Sequence, residues 1–136
     1  MKRYDHAEIA YQRSIEHDPY MTQSWNNLIL LKQKRNYLEE AYQVALKALS
    51  YNPNDDTLHF LLANLLGMQN QLEDAEFHFK KAIQLNSNKA IYYNNLAVLY
   101  HKNKMYPLAR MWYEKTLSIE PNRQSTLKNL ENIQHL

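Results

Sequence analysis

The stretch from Ala90 to Arg123, AIYYNNLAVLYHKNKMYPLARMWYEKTLSIEPNR, decides the fold because it reads as two amphipathic helices joined by a short turn. In its first half, Leu96 follows Tyr93 by three residues, and in its second half Tyr113 follows Ala109 by four. These are the steps along one face of an α-helix. The stretch therefore predicts a helix–turn–helix unit with an apolar stripe on each helix.

The same unit recurs along the chain with a period of 34 residues. Four sets of equivalent positions show the period: Ala7, Ala41, Ala75 and Ala109; Tyr11, Ala45, Phe79 and Tyr113; Leu28, Leu62, Leu96 and Leu130; and Trp25, His59, Tyr93 and Leu127. Pro19, Pro53 and Pro121 lie on the same step, and Ser87 takes the remaining position. Such a period indicates stacked helical repeats.

Residues at the helix ends agree with this interpretation. Asn36 and Asn70 lie between the two helices of their units, and asparagine tolerates the left-handed conformation that ends many helices. Acids suit the positive end of a helix, and the third unit has Pro107 there, which a first turn accommodates. The acids that open the second helices are Asp5, Glu39, Glu40, Glu73 and Asp74.

These residues resemble the tetratricopeptide repeat. That repeat has an aromatic residue, a Leu followed by a small residue, and a Tyr on its first helix, then Ala, an aromatic residue, Ala and Pro. The third unit matches best, and the departures elsewhere are Ile29, Lys32 and Ser87. The resemblance covers essentially the whole chain. It implies an all-α fold, an α–α superhelix of about eight antiparallel helices.

In this frame the single domain has three full repeats and a half repeat at each end. Residues 1–21 form the second helix of an incomplete repeat, the full repeats are 22–55, 56–89 and 90–123, and residues 124–136 form a last helix. We expect that last helix to be a cap, because polar Glu131 and Gln134 stand where a further repeat would pack.

The first helix has no such polar face. Tyr4, Tyr11 and Ile15 should need a preceding helix to cover them. We therefore expect the chain to be the C-terminal part of a longer protein. The alternative is that this helix packs on a second copy, so that self-association is a further prediction.

Composition excludes several classes of function. The formal net charge of +2 comes from interspersed acids and bases, so no basic stripe indicates nucleic acid. There is no cysteine, the six histidines form no metal-binding pair, and no phosphate loop or nucleophile elbow occurs. We predict no enzyme activity, cofactor or metal in this chain. The apolar runs are too short to span a bilayer, so we predict no membrane insertion, and no compartment is assigned.

Two histidines have predicted places. His59 occupies an aromatic position of the repeat, so we expect a partly buried core residue. His78 lies between Phe77 and Phe79, and we expect it to face outward. Gly67 is the only glycine and lies within a helix; either a close approach of a helix or ligand, or neutral drift, explains it.

The resemblance implies that the first helices line a concave groove that binds a protein or peptide ligand. The predicted groove residues are Asn27, Leu30, Phe60, Leu61, Asn64, Met68, Asn94, Asn95, Val98, Lys102, Lys128 and Asn129. Asn27, Asn95 and Asn129 are equivalent positions and resemble the asparagine ladder of O-GlcNAc transferase, which holds a peptide backbone through side-chain amides. The alternative is that they are ordinary solvated surface.

The apolar members of this set have two interpretations. They could seat apolar side chains of a ligand, or they could pack between adjacent helices; Met68 suits a ligand best because its thioether adapts to different shapes. A carboxylate clamp like that of chaperone-binding relatives is not predicted. Asn64 and Asn95 fit its amide positions, but Phe60, Ser125 and Asn129 stand at its basic positions.

Three hypotheses follow. The chain is a non-catalytic module that binds an extended peptide or partner helix in its groove. Alternatively, it is the substrate-recognition arm of a larger enzyme such as a glycosyltransferase. The third hypothesis is a self-assembling spacer, which sedimentation would contradict if the chain stayed monomeric at every concentration.

Overall fold

Eight α-helices make up most of the chain in a computed structural model that describes residues 2–134. They are α1 (Lys2–His17), α2 (Thr22–Lys34), α3 (Leu38–Tyr51), α4 (Asp56–Met68), α5 (Leu72–Leu85), α6 (Ala90–Lys102), α7 (Tyr106–Ile119) and α8 (Gln124–Gln134). No strand occurs within this range. The all-α prediction of about eight helices is therefore confirmed. Met1, His135 and Leu136 lie outside the described residues.

The turn inside each full repeat has the same backbone geometry. Asn36 and Asn70 have φ of 62° and 61°, as predicted, and Lys104 has the same φ of 61° at the third turn. In the first turn, Tyr37 N donates to Lys32 O at 2.8 Å and Asn36 N donates to Gln33 O at 2.9 Å. This pair of bonds is the Schellman ending of a helix, which satisfies carbonyls that the helix leaves free.

The turn between repeats is held by one aromatic position, which we call the aromatic slot: Trp25, His59 and Tyr93. Each slot residue bonds the carbonyl oxygen six residues earlier, at Pro19 (2.7 Å), Pro53 (2.8 Å) and Ser87 (2.9 Å), respectively. The bond needs a carbonyl and not a proline ring. Ser87 therefore replaces proline in the third of these turns without loss of the contact.

The second repeat has a pair of histidines that corrects the prediction for His78. His59 is 7% exposed, as expected for the core. His78 does not face outward: it is half-buried, and its ring stacks on that of His59 with centroids 5.3 Å apart. Tyr93 and Trp112 form the equivalent pair one repeat later, with centroids 5.9 Å apart. The contact with the His59 ring therefore determines where His78 lies, and the polar character of the His78 side chain does not.

The two imidazoles have a fixed proton arrangement. The two Nδ1 atoms are 3.0 Å apart, and His59 Nε2 lies 2.8 Å from the carbonyl oxygen of Pro53. A carbonyl only accepts, so His59 Nε2 donates to Pro53, and neutral His59 accepts at Nδ1 from His78 Nδ1–H. Burial lowers the pKa of His78, His59 lowers it further, and Asp74 acts in the opposite direction.

Small residues allow the helices to pack closely. Ala41, Ala45 and Ala48 on α3 are fully buried, and so are Ala75 and Ala82 on α5. Most of the buried leucines come from α4 and α6, the two central even-numbered helices. Burying each of these side chains stabilises the fold by roughly 1.5–3 kcal/mol before the loss of conformational entropy.

Lys32 stands where the repeat motif has tyrosine, and it forms a salt bridge with a glutamate where the tyrosine forms a hydrogen bond. In the third repeat, Tyr100 donates a hydrogen bond to Glu76, which lies 24 residues earlier. Lys32 pairs with Glu8, which also lies 24 residues earlier, and with Glu40 at 2.8 Å. Burial opposes the charge of Lys32, but the two carboxylates outweigh it and raise the pKa of Lys32.

The surface of α1 that was predicted to lack a cover is partly shielded. Tyr4 lies under the guanidinium of Arg35, with the ring centroid 5.4 Å from Cζ, and Ile15 packs against the core. Ile9 is 46% exposed. Self-association through this helix stays a prediction.

Candidate functional site

The even-numbered helices form one continuous surface. In residues 2–134, α2 packs on α4 and α4 packs on α6, whereas the odd-numbered helices have no comparable contact with one another. Helices that are closer together on one side of a stack curve it toward that side. The even-numbered helices therefore line the concave side, and we call this surface the groove.

A cavity of about 350 Å³ opens in the groove where α2, α4 and α6 meet. We call it the groove cavity. Its lining residues are Gln33, Asn64, Gly67, Met68, Phe79, Asn95, Val98, Leu99 and Lys102.

Gly67 explains why the cavity lies in the middle repeat. Gln33 and His101 stand at the equivalent positions 34 residues before and after it. A Cβ on Gly67 would meet only Leu99 Cδ1, at 3.4 Å, and Gly67 has no positive φ. Neither helix packing nor backbone conformation therefore requires glycine. What glycine provides is the space that a side chain would fill.

Side-chain amides form a chain across the groove next to this cavity. Asn95 Nδ2 donates to Asn64 Oδ1 at 3.0 Å, and Asn94 Nδ2 donates to Asn95 Oδ1 at 3.4 Å. Thr126 Oγ1 donates to Asn94 Oδ1 at 2.6 Å. These bonds fix the orientation of the amides. The amide nitrogen of Asn64 still has both donors for a ligand, since only its oxygen takes part in the chain.

Two acceptor atoms of α2 are buried without a partner. They are Oδ1 of Asn26 and Oε1 of Gln33, seven residues apart and so on the same face of the helix. Gln33 also lines the groove cavity. An unpaired buried acceptor costs roughly 1–3 kcal/mol. A ligand that supplied N–H donors here would remove this cost.

One cation stands at the rim of the groove cavity. Lys102 Nζ donates to the carbonyl oxygen of Gly67 at 3.1 Å, and its side chain is exposed. An ammonium has three donors, so this bond leaves two of them for other partners.

The structure brings together some of the predicted groove residues and not others. Asn64, Met68, Asn95, Val98 and Lys102 line the groove cavity. Leu30 is 48% exposed on α2, and Lys128 is exposed on α8.

The remaining predicted groove residues contact the protein itself. Leu61 and Asn94 are buried, 5% and 7% exposed, because α4 and α6 have neighbours on both sides. Phe60 packs on Tyr92 with centroids 4.7 Å apart. Asn27 accepts a hydrogen bond from Gln23 at 3.0 Å, and Asn129 lies beside the Tyr113 hydroxyl. An asparagine ladder through Asn27, Asn95 and Asn129 stays a prediction.

Neither the unpaired acceptor of Gln33 nor the cavity at Gly67 was predicted from the sequence, although close approach of a ligand was one interpretation of Gly67. A signal for Gly67 was present, because its repeat position holds the long side chains of Gln33 and His101 in the flanking repeats. No signal existed for Gln33, since the lack of a partner depends on where neighbouring side chains lie.

The described part of the chain contains no group of three His, Asp or Glu residues arranged to hold a metal ion. None of its helices has the length and apolar character that crossing a membrane requires.

A family model described as Tetratricopeptide repeat matches residues 44–77 and 78–111, half of the chain. The chain belongs to the tetratricopeptide repeat family, whose repeats form a helical solenoid that serves as a protein-binding scaffold. Each matched window is 34 residues long, and the windows begin within the second helix of a unit. The choice of repeat boundaries therefore stays a prediction.

The curated relatives are much longer proteins. The chain is 25% identical over 134 residues to protein O-mannosyl-transferase TMTC1 of Mus musculus. The match covers 96% of this chain and 14% of that protein. It is 26% identical over 104 residues to protein O-mannosyl-transferase F38B6.6 of Caenorhabditis elegans, and that match covers 76% of this chain and 14% of that protein. The chain thus spans about one seventh of the length of these relatives.

Solved structures show the same fold. The crystal structure of MamA superposes with a TM-score of 0.85 at 21% identity, covering 97% of this chain and 77% of that one. The first tetratricopeptide domain of Spaghetti (RPAP3), bound to the HSP90 peptide SRMEEVD, superposes with a TM-score of 0.77 at 20% identity. This superposition covers 82% of this chain and 88% of that one.

Proposed function

We propose that this chain is a non-catalytic binding module that holds a segment of a protein partner, in extended form, in the groove. The central contact is at the groove cavity. One observation carries the proposal: the Gln33 side chain lines the space that Gly67 leaves open, and its buried Oε1 has no hydrogen-bond partner. A backbone N–H of an extended segment supplies the missing donor, and the amide of Asn64 binds its carbonyl.

The similarity to the tetratricopeptide domain of Spaghetti supports a peptide as the ligand, because that domain is bound to a peptide. The fold alone does not select a ligand, since one scaffold serves many roles. The groove cavity and its unpaired acceptor are the features of this chain that favour a ligand at this point of the groove.

The test is selection of binding peptides from a displayed random library, followed by affinity measurement with two groove variants. Gly67→Gln places the residue of the first repeat in the cavity and should abolish binding while the fold survives. Gln33→Leu should lower affinity without lowering stability, because it removes an acceptor that has no partner in the free protein. Gln84→Leu, on exposed α5 surface, is the matched control.

The outcome separates two cases. Loss of binding in Gly67→Gln with unchanged circular dichroism supports the groove cavity as the contact. Equal affinity of wild type and Gly67→Gln for every selected peptide, or no selected peptide at all, would overturn the proposal.

A second candidate function is the recognition arm of a larger glycosyltransferase. The observation that favours it is the match to protein O-mannosyl-transferases over 96% of this chain and 14% of the mouse protein. Here the groove would hold the acceptor polypeptide, and catalysis would lie elsewhere in the longer protein. Mannose transfer by the full-length gene product to a selected peptide should fall in Gly67→Gln. Unchanged transfer would contradict this candidate.

A further inference from the structure

Acidic residues are divided unequally between the two layers of the fold. Of the acids that lie in helices, nine are in odd-numbered helices and only Asp56 and Glu131 are in even-numbered ones. Asp56 is engaged, since its carboxylate accepts from Tyr92 at 2.5 Å and pairs with Lys89 at 3.5 Å. Lys34, Lys102 and Lys128 are exposed on the even-numbered helices. The groove layer therefore offers cations and hardly any free carboxylate.

The groove cavity shows the same bias at short range. Lys102 is the one charged residue among its nine lining residues, and none of them is acidic. A ligand carboxylate that reached the rim would meet the ammonium without a competing acid. A ligand ammonium at the same place would be repelled by Lys102.

Four of the other side chains that line the cavity are apolar. Met68 is 45% exposed and Val98 is 39% exposed, and Phe79 and Leu99 line the cavity beside them. Exposed aliphatic groups around a concave space favour an aliphatic ligand side chain, because its burial removes both surfaces from water.

The geometry points to a partner of defined chemistry: an acidic, aliphatic-anchored peptide. One aliphatic side chain enters the groove cavity between Met68 and Val98, and the carboxylate of a neighbouring acidic residue pairs with Lys102. This inference rests on the proposed function. It differs from a clamp for a chain-terminal carboxylate, whose basic positions hold Phe60, Ser125 and Asn129 here.

The test uses peptides selected on this chain and synthesised as matched sets. One set replaces each Asp or Glu by Asn or Gln, and another replaces each aliphatic residue by Ala. Affinities are measured for wild type, for Lys102→Met, and for Lys47→Met on the exposed surface of α3 as control. Lys102→Met should weaken the acidic peptide about two- to fivefold at low salt, with no effect on its amide counterpart. Added salt should reduce the difference.

The outcomes distinguish this inference from the function on which it rests. Selected peptides that lack acidic residues, or acidic and amide peptides that bind equally, overturn the inference, while their sensitivity to Gly67→Gln keeps the groove as the binding site. Equal loss in Lys102→Met and Lys47→Met also overturns it, since the charge would then act at long range. Peptides insensitive to Gly67→Gln overturn both.

Discussion

The second repeat, α4–α5, and the third, α6–α7, have the same backbone arrangement but different chemistry at matched positions. His59 stacks on His78, and at the matched positions the ring of Tyr93 packs on that of Trp112. Each slot residue still bonds the carbonyl six positions earlier. The fold therefore requires a planar ring with a hydrogen-bond donor at this position, and several residue types meet that requirement.

The same two repeats differ in the groove, and there the difference changes the surface. Gly67 leaves a cavity in the second repeat, whereas His101 fills the equivalent position and bonds the Tyr113 hydroxyl at 3.0 Å. A buried position such as the aromatic slot accepts different residue types when their side chains have a similar shape. A position on the groove does not have to be filled, so it can differ between repeats and create a site.

Truncation of the inner aromatic residue of the second repeat has the largest expected effect. Phe79 is 2% exposed and meets Phe60 edge-on, with centroids 6.0 Å apart. Phe79→Ala should cost about 3–5 kcal/mol in the free energy of unfolding, measured from urea denaturation. Phe77→Ala on the same helix, 62% exposed, is the control and should change stability by less than about 0.5 kcal/mol. Equal urea midpoints for the two variants would contradict the packing assigned to Phe79.

Tyr113→Phe makes the third repeat resemble the second and should have a smaller effect. Tyr113 is fully buried, and burial raises its pKa to about 12, against an opposing hydrogen bond from Asn129. Loss of the hydroxyl leaves His101 without this partner, so we expect a cost of about 1–2 kcal/mol by urea denaturation. Tyr20→Phe, at a residue 66% exposed, should be neutral. A neutral result for Tyr113→Phe would show that water replaces the hydroxyl.

The histidine pair should make the second repeat sensitive to acid. Burial first, and then His59, lower the pKa of His78 below its ordinary 6.5. The unfolded chain then binds protons at higher pH than the folded chain, so stability is complete above about pH 6.5 and falls as the pH drops below it. We expect this change to be smaller than the effect of either substitution above.

His59→Tyr together with His78→Trp installs the residues of the third repeat and should remove this part of the acid sensitivity. Urea midpoints of both proteins at about pH 7.5 and about pH 5.5 give the comparison, with the remaining histidines common to both. Parallel losses in the two proteins would mean that the pair does not sense pH.

Gly67→Ala has the smallest expected effect. A Cβ meets Leu99 at an acceptable 3.4 Å, and alanine favours the helix, so stability should rise by less than about 1 kcal/mol. Thermal unfolding measures the gain. Destabilisation would show that helix packing, and not an open groove, requires glycine at this position.

Several features were predicted from particular residues, and others were not. The left-handed turns at Asn36 and Asn70 could be predicted because asparagine tolerates that conformation. Lys104 has the same φ because it occupies the equivalent position of the third repeat, and not because of its residue type. Leu61 was predicted to line the groove, yet it is buried because α4 has helices on both sides. Equivalent positions of different repeats have the same backbone location, but the side chains around them differ.

The sequence by itself determined the period, the helices, their turns and the family, because these depend on residues a few positions apart and on one spacing repeated along the chain. Only the tertiary structure decided which groove residues are accessible, that the two histidines are hydrogen-bonded to each other, and that Gln33 lines a cavity while its Oε1 has no partner. The physical reason is that burial, pairing and empty space depend on side chains from α2, α4, α5 and α6 together. Their distances are fixed only when the helices pack.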